Sequence, residues 1–208
     1  MYKRINVLLI SLLATSLYSA EGSEDSKESV FDEVVVTAQR VEQSLQDVPI
    51  SVSAFSAAQI DEQQIETGGD LQVVVPSLTF VKDGARGGQF GIRGISNGAT
   101  SNTADTGVEV HMNSLPMGST TMQDGEFFDM QRIEVLRGPQ GTLFGKNSVA
   151  GAINLITNKA DSTEFTSDIG LDLHQYNGQR VKGHVNLPLS DSLAVRVAYL
   201  GYDRDGYV

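Results

Sequence analysis

Cysteine is absent from the 208-residue chain. Disulfide staples, cysteine zinc sites and thiol catalysis go with it. The compartment stays open, because a sufficient core needs no staple. Proline is scarce, 5 residues against 21 glycines, which favours many turns and close backbone approaches; no strict three-residue period makes the glycines collagenous. Positive charge is short as well: 15 Lys and Arg against 26 Asp and Glu leave a net charge of −11. A chain this acidic repels phosphate backbones, so nucleic acid is not an expected partner. No apolar run reaches the roughly 20 residues of a membrane-spanning helix, so any membrane role must rest on strands or on a partner. Hydrophobic residues still make up 40% of the chain, enough for a packed core.

Lys3 and Arg4 precede an apolar run from Ile5 to Leu13, and small and polar residues follow through Ala20. This is the order of a secretory signal peptide, so residues 1–20 are read as an export signal. Cleavage after Ala20 places bulky Tyr18 where a small side chain is usual; cleavage after Gly22 places Ala20 there, and both remain open. Glu21, Glu24, Asp25, Glu28 and Asp32 then fill a stretch with little apolar surface, which reads as a solvated tail over residues 21–40. Within it, Val34, Val35, Val36 and Thr37 favour extended backbone. On a mobile tail such a peptide can add as a strand to the edge of a partner's sheet. By composition alone such a run is more often the first strand of a domain; its place after an export signal and a polar tether favours the strand-addition reading.

From Val41 to Lys159 short elements alternate with turns. Ile50, Val52 and Ala54 alternate as in a strand. Ser56 is placed to cap a helix from about Ala57 to Gln64, ended by Gly68-Gly69, and Asp70 to cap a second through Val75, stopped by Pro76. Strands are expected at Leu78–Val81, Phe90–Ile95, Gly107–Met112, Met130–Leu136 and Ala152–Thr157. Asn113-Ser114 forms a turn, and 96–106 and 117–124 are polar loops. In the fourth strand Ile133 and Val135 share one face, Arg132 and Glu134 the other. Glycines 88, 91 and 94 follow a Gly-x-x-Gly-x-x-Gly spacing, which is not the dinucleotide fingerprint. Gly141-Thr-Leu-Phe-Gly145-Lys146 is not a phosphate-binding loop either: it has one residue too few between its glycines, and Asn147 stands where a hydroxyl must hold magnesium.

Several of these blocks together resemble one family. Asp32-Glu33-Val34-Val35-Val36-Thr37-Ala38 is similar to the TonB box of TonB-dependent outer-membrane receptors. Phe90-Gly91-Ile92-Arg93-Gly94-Ile95, the run Arg132 to Gly145 and the run Gly151 to Thr157 resemble that family's plug signature. Asn113-Ser114 departs from the family's usual Asp-Gly turn. The resemblance implies an α+β plug, a small mixed sheet with short helices, over residues 41–160. It implies that Glu33, Val34, Val35, Val36, Thr37 and Ala38 pair with the energy transducer TonB. It implies that the loops Asp83 to Gln89 (Asp83, Arg86, Gln89) and Met117 to Gln123 face the outside and touch ligand. Arg93 and Arg137 are implied to lie against a barrel wall and pair with its carboxylates. The tail is too short for the extra signalling domain that some family members carry.

After Glu164 the pattern changes to strict alternation. Ile169, Leu171 and Leu173 alternate with polar neighbours, as do Val181, Val185, Leu187 and Leu189, and then Leu193, Val195, Val197 and Tyr199. Asn177-Gly178 is a hairpin signal between the first two sets. Units of about ten residues, apolar on one side and polar on the other, match antiparallel strands of a transmembrane barrel. Residues 161–208 hold about three such strands, whereas plugged outer-membrane transporters use about 22. An open edge in lipid leaves backbone groups unpaired, so the chain is expected to be a truncated form of a longer receptor.

The expected function is active uptake of a scarce nutrient across the outer membrane, a ferric siderophore first, with TonB, outer-membrane lipid and the nutrient as partners. The alternative is a soluble periplasmic plug-like binding module without transport. Catalysis is not expected: His111, His174 and His184 are scattered, and Ser148 and Ser192 lack a nucleophile elbow. No cofactor or metal is implied.

Overall fold

Period-two alternation in one strand organises the plug. In the computed structural model, which describes residues 35–37, 43, 44, 46, 48–83, 87–96 and 106–206, that strand is β9, Met130–Arg137. The residues read as an export signal, together with Glu33, Val34, Ala38 and Arg86, lie outside this set. The described residues belong to one compact unit, Glu33–Val208.

Ile133 and Val135 of β9 are fully buried on one face and Leu136 on the other, so both faces of the strand are covered. It sits inside a five-stranded sheet with β3 (Ser51–Ser56), β10 (Gly151–Thr157), β7 (Val108–Met112) and β8 (Leu115–Pro116), in the order β3-β9-β10-β7-β8. Only β7 and β10 run parallel; the other neighbours are antiparallel. One face carries the larger core, where Ile133, Val135, Ile153, Val108 and Val110 meet Ile60 and Leu71 of two short helices. The opposite face carries a smaller cluster of Val36, Val48, Leu136, Phe144 and Ala152. Each fully buried aliphatic side chain contributes about 1.5–3 kcal/mol, so the double coverage makes this sheet the rigid part of the plug.

The helices are α1 (Ala57–Glu62), α2 (Gly68–Val74), α3 (Thr120–Gln123) and α4 (Gly141–Phe144). Ser56 caps α1 as expected, with Gln59 closing a reciprocal capping box. The expectation for α2 needs correcting. Its cap is Thr67, and Gly68-Gly69 open that helix instead of ending the first. Asp70 is the third residue of the helix, and its carboxylate accepts from the Thr67 N–H at 2.9 Å. A Thr-x-x-Asp box satisfies two orphan N–H groups at once, which a cap at Asp70 does not. The loop expected over 117–124 contains a single helical turn, α3, and the stretch after Gln140 contains another, α4.

A second sheet joins β4 (Leu78–Asp83), β5 (Gly87–Ile92) and β6 (Ile95–Ser96). The strand expected at Phe90–Ile95 is thus broken by a turn at Arg93 and Gly94, both at positive φ. Asn113 and Ser114 are both left-handed, at φ 49° and 69°, so the β7–β8 turn keeps the geometry that Asp-Gly would give. Val35 and Val36 form β1, antiparallel to β2 (Gln43–Ser44).

β11 (Thr166–His174), β12 (Gly178–Ser190) and β13 (Leu193–Asp203) form an antiparallel sheet in chain order. Their turn lies one residue earlier than Asn-Gly suggested. Tyr176 and Asn177 occupy its left-handed centre, and Gly178 already pairs with His174. No helix among the described residues is long and apolar enough to cross a membrane, which says nothing of strands.

Candidate functional site

The chemistry-bearing residues gather at three places: the dock of the β1 segment, the paired loops at the far end of β4 and β5, and the seam where β12 and β13 meet the plug.

At the dock, Val36 is fully buried in the smaller core cluster, beside Leu136 and Ala152. The next residue, Thr37, is held by Glu134, whose side chain is also fully buried. The Thr37 N–H donates to Glu134 Oε1 at 2.7 Å, and the Thr37 hydroxyl donates to the same oxygen at 3.0 Å. Arg132 Nε donates to that oxygen at 2.9 Å, and Asn154 Nδ2 donates to Oε2 at 3.1 Å. A buried carboxylate is costly unless donors surround it; here four donors do, and two of them belong to Thr37. Beside them opens a cavity of about 410 Å³ lined by Thr37, His111, Arg132, Phe144 and Lys159. Sequence reading put Arg132 and Glu134 on the polar face of β9 and missed that Val36 and Thr37 cover that face. Of the residues expected to pair with TonB, the structure describes Val35, Val36 and Thr37.

At the loop end, α3 lies against β5. A Cβ on Gly87 would stand 2.4 Å from the Thr120 carbonyl oxygen, and Gly87 has φ +85°, so only glycine allows this approach. Lys82 and Asp124 tie the two loops by an ion pair at 3.0 Å. The structure therefore brings together the two segments expected to face ligand. It also corrects two of their residues. Met117 and Gln123 are buried, and the Gln123 amide donates to the Met117 carbonyl at 3.0 Å. They brace the loop from within, because a short helix turns them inward, and Met122 is exposed in their place. Asp83 ends β4 and Gln89 lies half-buried within β5.

Arg93 is exposed at the β5–β6 turn. Arg137 donates through Nη2 to Ser53 Oγ at 2.5 Å. Among the described residues neither arginine meets a carboxylate. The ion pairs between plug and strands run with the opposite polarity. Arg180 of β12 binds Glu66 and, at 3.1 Å, Glu126. Lys182 stands 3.8 Å from Glu66. Arg196 of β13 grips Asp129 with two bonds, 3.0 Å from Nε and 2.6 Å from Nη2. Asn158 adds a third bond to Asp129 at 2.9 Å. Burial alone would push the Asp129 carboxyl up; the hydrogen bonds from Arg196 and Asn158, with the charge of Arg196, outweigh it and hold the group below its ordinary value. The sequence signal was present but unread: in a chain short of cations, Arg180, Lys182 and Arg196 all fall on inward positions of the alternating strands.

The outward positions are bare. Ile169 is 82% exposed, Leu173 74% and Val197 60%. The strands are 9, 13 and 11 residues long, against about 9–11 for a tilted membrane-crossing strand. An apolar outer face over a charged inner one is the arrangement of a barrel wall around polar contents.

Comparison with known proteins agrees. The family model described as the TonB-dependent receptor plug domain matches residues 44–152, just over half of the chain. The chain belongs to the TonB-dependent outer-membrane receptors. A vitamin B12 transporter of Vibrio vulnificus is 34% identical over 143 residues, covering 64% of this receptor chain and 22% of the relative. An iron-regulated outer membrane virulence protein of Vibrio cholerae is 29% identical over 206 residues, covering 93% and 31%. Among solved structures, the ferric yersiniabactin uptake receptor of Yersinia pestis superposes with a TM-score of 0.62 at 26% identity, covering 73% of this chain and 24% of that one. The receptor chain thus spans between 22% and 31% of the length of these relatives. The family consists of receptors, not enzymes.

Proposed function

We propose that the chain is the plug-bearing end of a transporter that takes up a scarce nutrient across the outer membrane, with energy delivered by TonB to residues 33–38. Residues 1–20 serve as the export signal, 21–40 as the tail with its box, 41–160 as the plug and 161–208 as wall strands. A ferric siderophore is the favoured ligand, supported by relatives named for iron regulation and ferric yersiniabactin uptake; a cobalamin is the second choice, supported by the vitamin B12 transporter. The observation that carries the reading is the pairing of a plug fold with strands whose inner face is charged and whose outer face is apolar and uncovered. The same outer face argues against a soluble periplasmic module, which would have to hide it.

The test is uptake of iron-55 presented as a ferric siderophore by cells expressing the receptor, with Val35→Pro as comparison. Proline removes a ladder N–H from the strand that TonB would pair with. Uptake is expected to fall about tenfold or more, in line with losing hydrogen bonds from a short strand addition. Undiminished uptake by the proline variant would remove the box from the mechanism.

A further inference from the structure

We propose that Glu134 is the positioning residue that keeps the box docked, by occupying the Thr37 N–H that a partner strand would need. The proposal rests on the reading of residues 33–38 as the segment that pairs with TonB. Strand addition uses backbone N–H groups along the added peptide. One of these, on Thr37, is already given to Glu134 at 2.7 Å, and an N–H so engaged is not free for a partner's carbonyl. The Thr37 hydroxyl reinforces the hold. It donates to Glu134 and accepts from Arg132 Nη2 at 3.4 Å, so Thr37 is built into a network of two charged groups. Glu134 cannot swing to follow the box when it leaves. It is fully buried in the middle of the plug sheet, and Asn154 on β10 and Arg132 on β9 hold its two oxygens. The acceptor is therefore fixed on the plug sheet, and the donor lies on the segment that has to leave. Pairing with a partner requires breaking these contacts and drawing Val36 out of its apolar cluster.

The network also distinguishes Glu134 from an ordinary buried acid. Arg132 and Asn154 already give it a cation and an amide, so its charge remains compensated when Thr37 leaves. Undocking thus costs the contacts of the box, not the burial of a naked carboxylate.

The absence of cysteine allows a clean test. A single cysteine at Ala38 in the full chain, folded in detergent, is read by its rate of maleimide labelling. Glu134→Gln is expected to raise the rate about tenfold or more, and Thr37→Val, which keeps the branched shape and removes only the hydroxyl, severalfold, because bonds to charged groups are the strong ones. Glu126→Gln, at the seam, is the control and leaves the rate unchanged. Equal rates in Glu134→Gln and the unsubstituted chain would overturn the proposal. If Glu134→Gln does not fold, Thr37→Pro, which lacks the N–H given to Glu134, decides alone, and an unchanged rate there overturns it. A second arm measures binding of a purified TonB C-terminal fragment to the same variants. Faster labelling with no TonB binding keeps the latch and removes TonB as its partner; faster labelling with tighter binding supports both.

Discussion

Alanine at Gly151 is expected to destabilise the plug by about 3 kcal/mol, the upper end of the usual cost of overpacking, because the atoms it meets cannot move aside. Gly151 opens β10 between Arg137 of β9 and Val108 of β7. A Cβ there would lie 2.2 Å from the Leu136 carbonyl oxygen and 2.8 Å from Ile92 Cδ1. The isoleucine tip can turn away. The carbonyl belongs to the central ladder, so relief means parting the two strands that carry both core clusters. Gly141→Ala is the matched control: nothing lies within 4 Å of a Cβ there, and the residue is helical, so alanine is expected to be neutral or slightly stabilising. Thermal unfolding checks both. A loss of about 6–12 °C is expected for Gly151→Ala in a chain of this size, and equal melting of the two variants would refute the close approach.

Asp129→Asn is expected to weaken the seam by about 2–4 kcal/mol, near the lower end for breaking a buried ion pair because neither partner is fully dry. The two side chains are 11% and 13% exposed. Asparagine keeps the shape and tolerates the left-handed backbone that Asp129 adopts at φ 52°. It leaves the Arg196 guanidinium without a counter-charge. The sign of the pH effect follows from the lowered carboxyl pKa. A group held below its ordinary value contributes stability that is fully present above about pH 4 and is lost as pH falls through the depressed value. Denaturation of the unsubstituted chain should therefore show a loss of stability on acidification below about pH 4 that is smaller in Asp129→Asn. An Arg196→Gln partner variant completes a double-mutant cycle, and a coupling energy near zero would mean the contact is incidental.

Much of this architecture was legible in the alternation of side chains. Ile133 and Val135 against Arg132 and Glu134, and Ile169, Leu171 and Leu173 against their polar neighbours, declared their faces because burial of one face enforces a period of two. The cap at Ser56 was readable for the same local reason. The cap at Thr67 was not, since Gly68-Gly69 looks like a helix stop unless the reciprocal bond from Asp70 is known. Helices α3 and α4 are single turns held by tertiary contacts, too short to leave a periodic trace. The site divided in the same way. The extended character of Val34 to Thr37 was local and visible. Its dock on Glu134, 97 residues along the chain, was not, because a glutamate on the polar face of a strand looks solvent-facing until something covers it. The seam was hidden for a related reason: Arg180, Lys182 and Arg196 were visible as inward residues, but their partners Glu66, Glu126 and Asp129 sit in plug turns whose position only the fold supplies.

The central claim is that β11–β13 turn an apolar face to lipid and a charged face to the plug. Single cysteines placed in turn from Leu193 to Leu200, labelled with a nitroxide in the receptor reconstituted into phospholipid vesicles, test it most directly. Collision with oxygen, which concentrates in the bilayer, should be high at 193, 195, 197 and 199 and low at 194, 196, 198 and 200. Uniform collision with a water-soluble nickel chelate along all eight positions, with no period of two, would contradict the account.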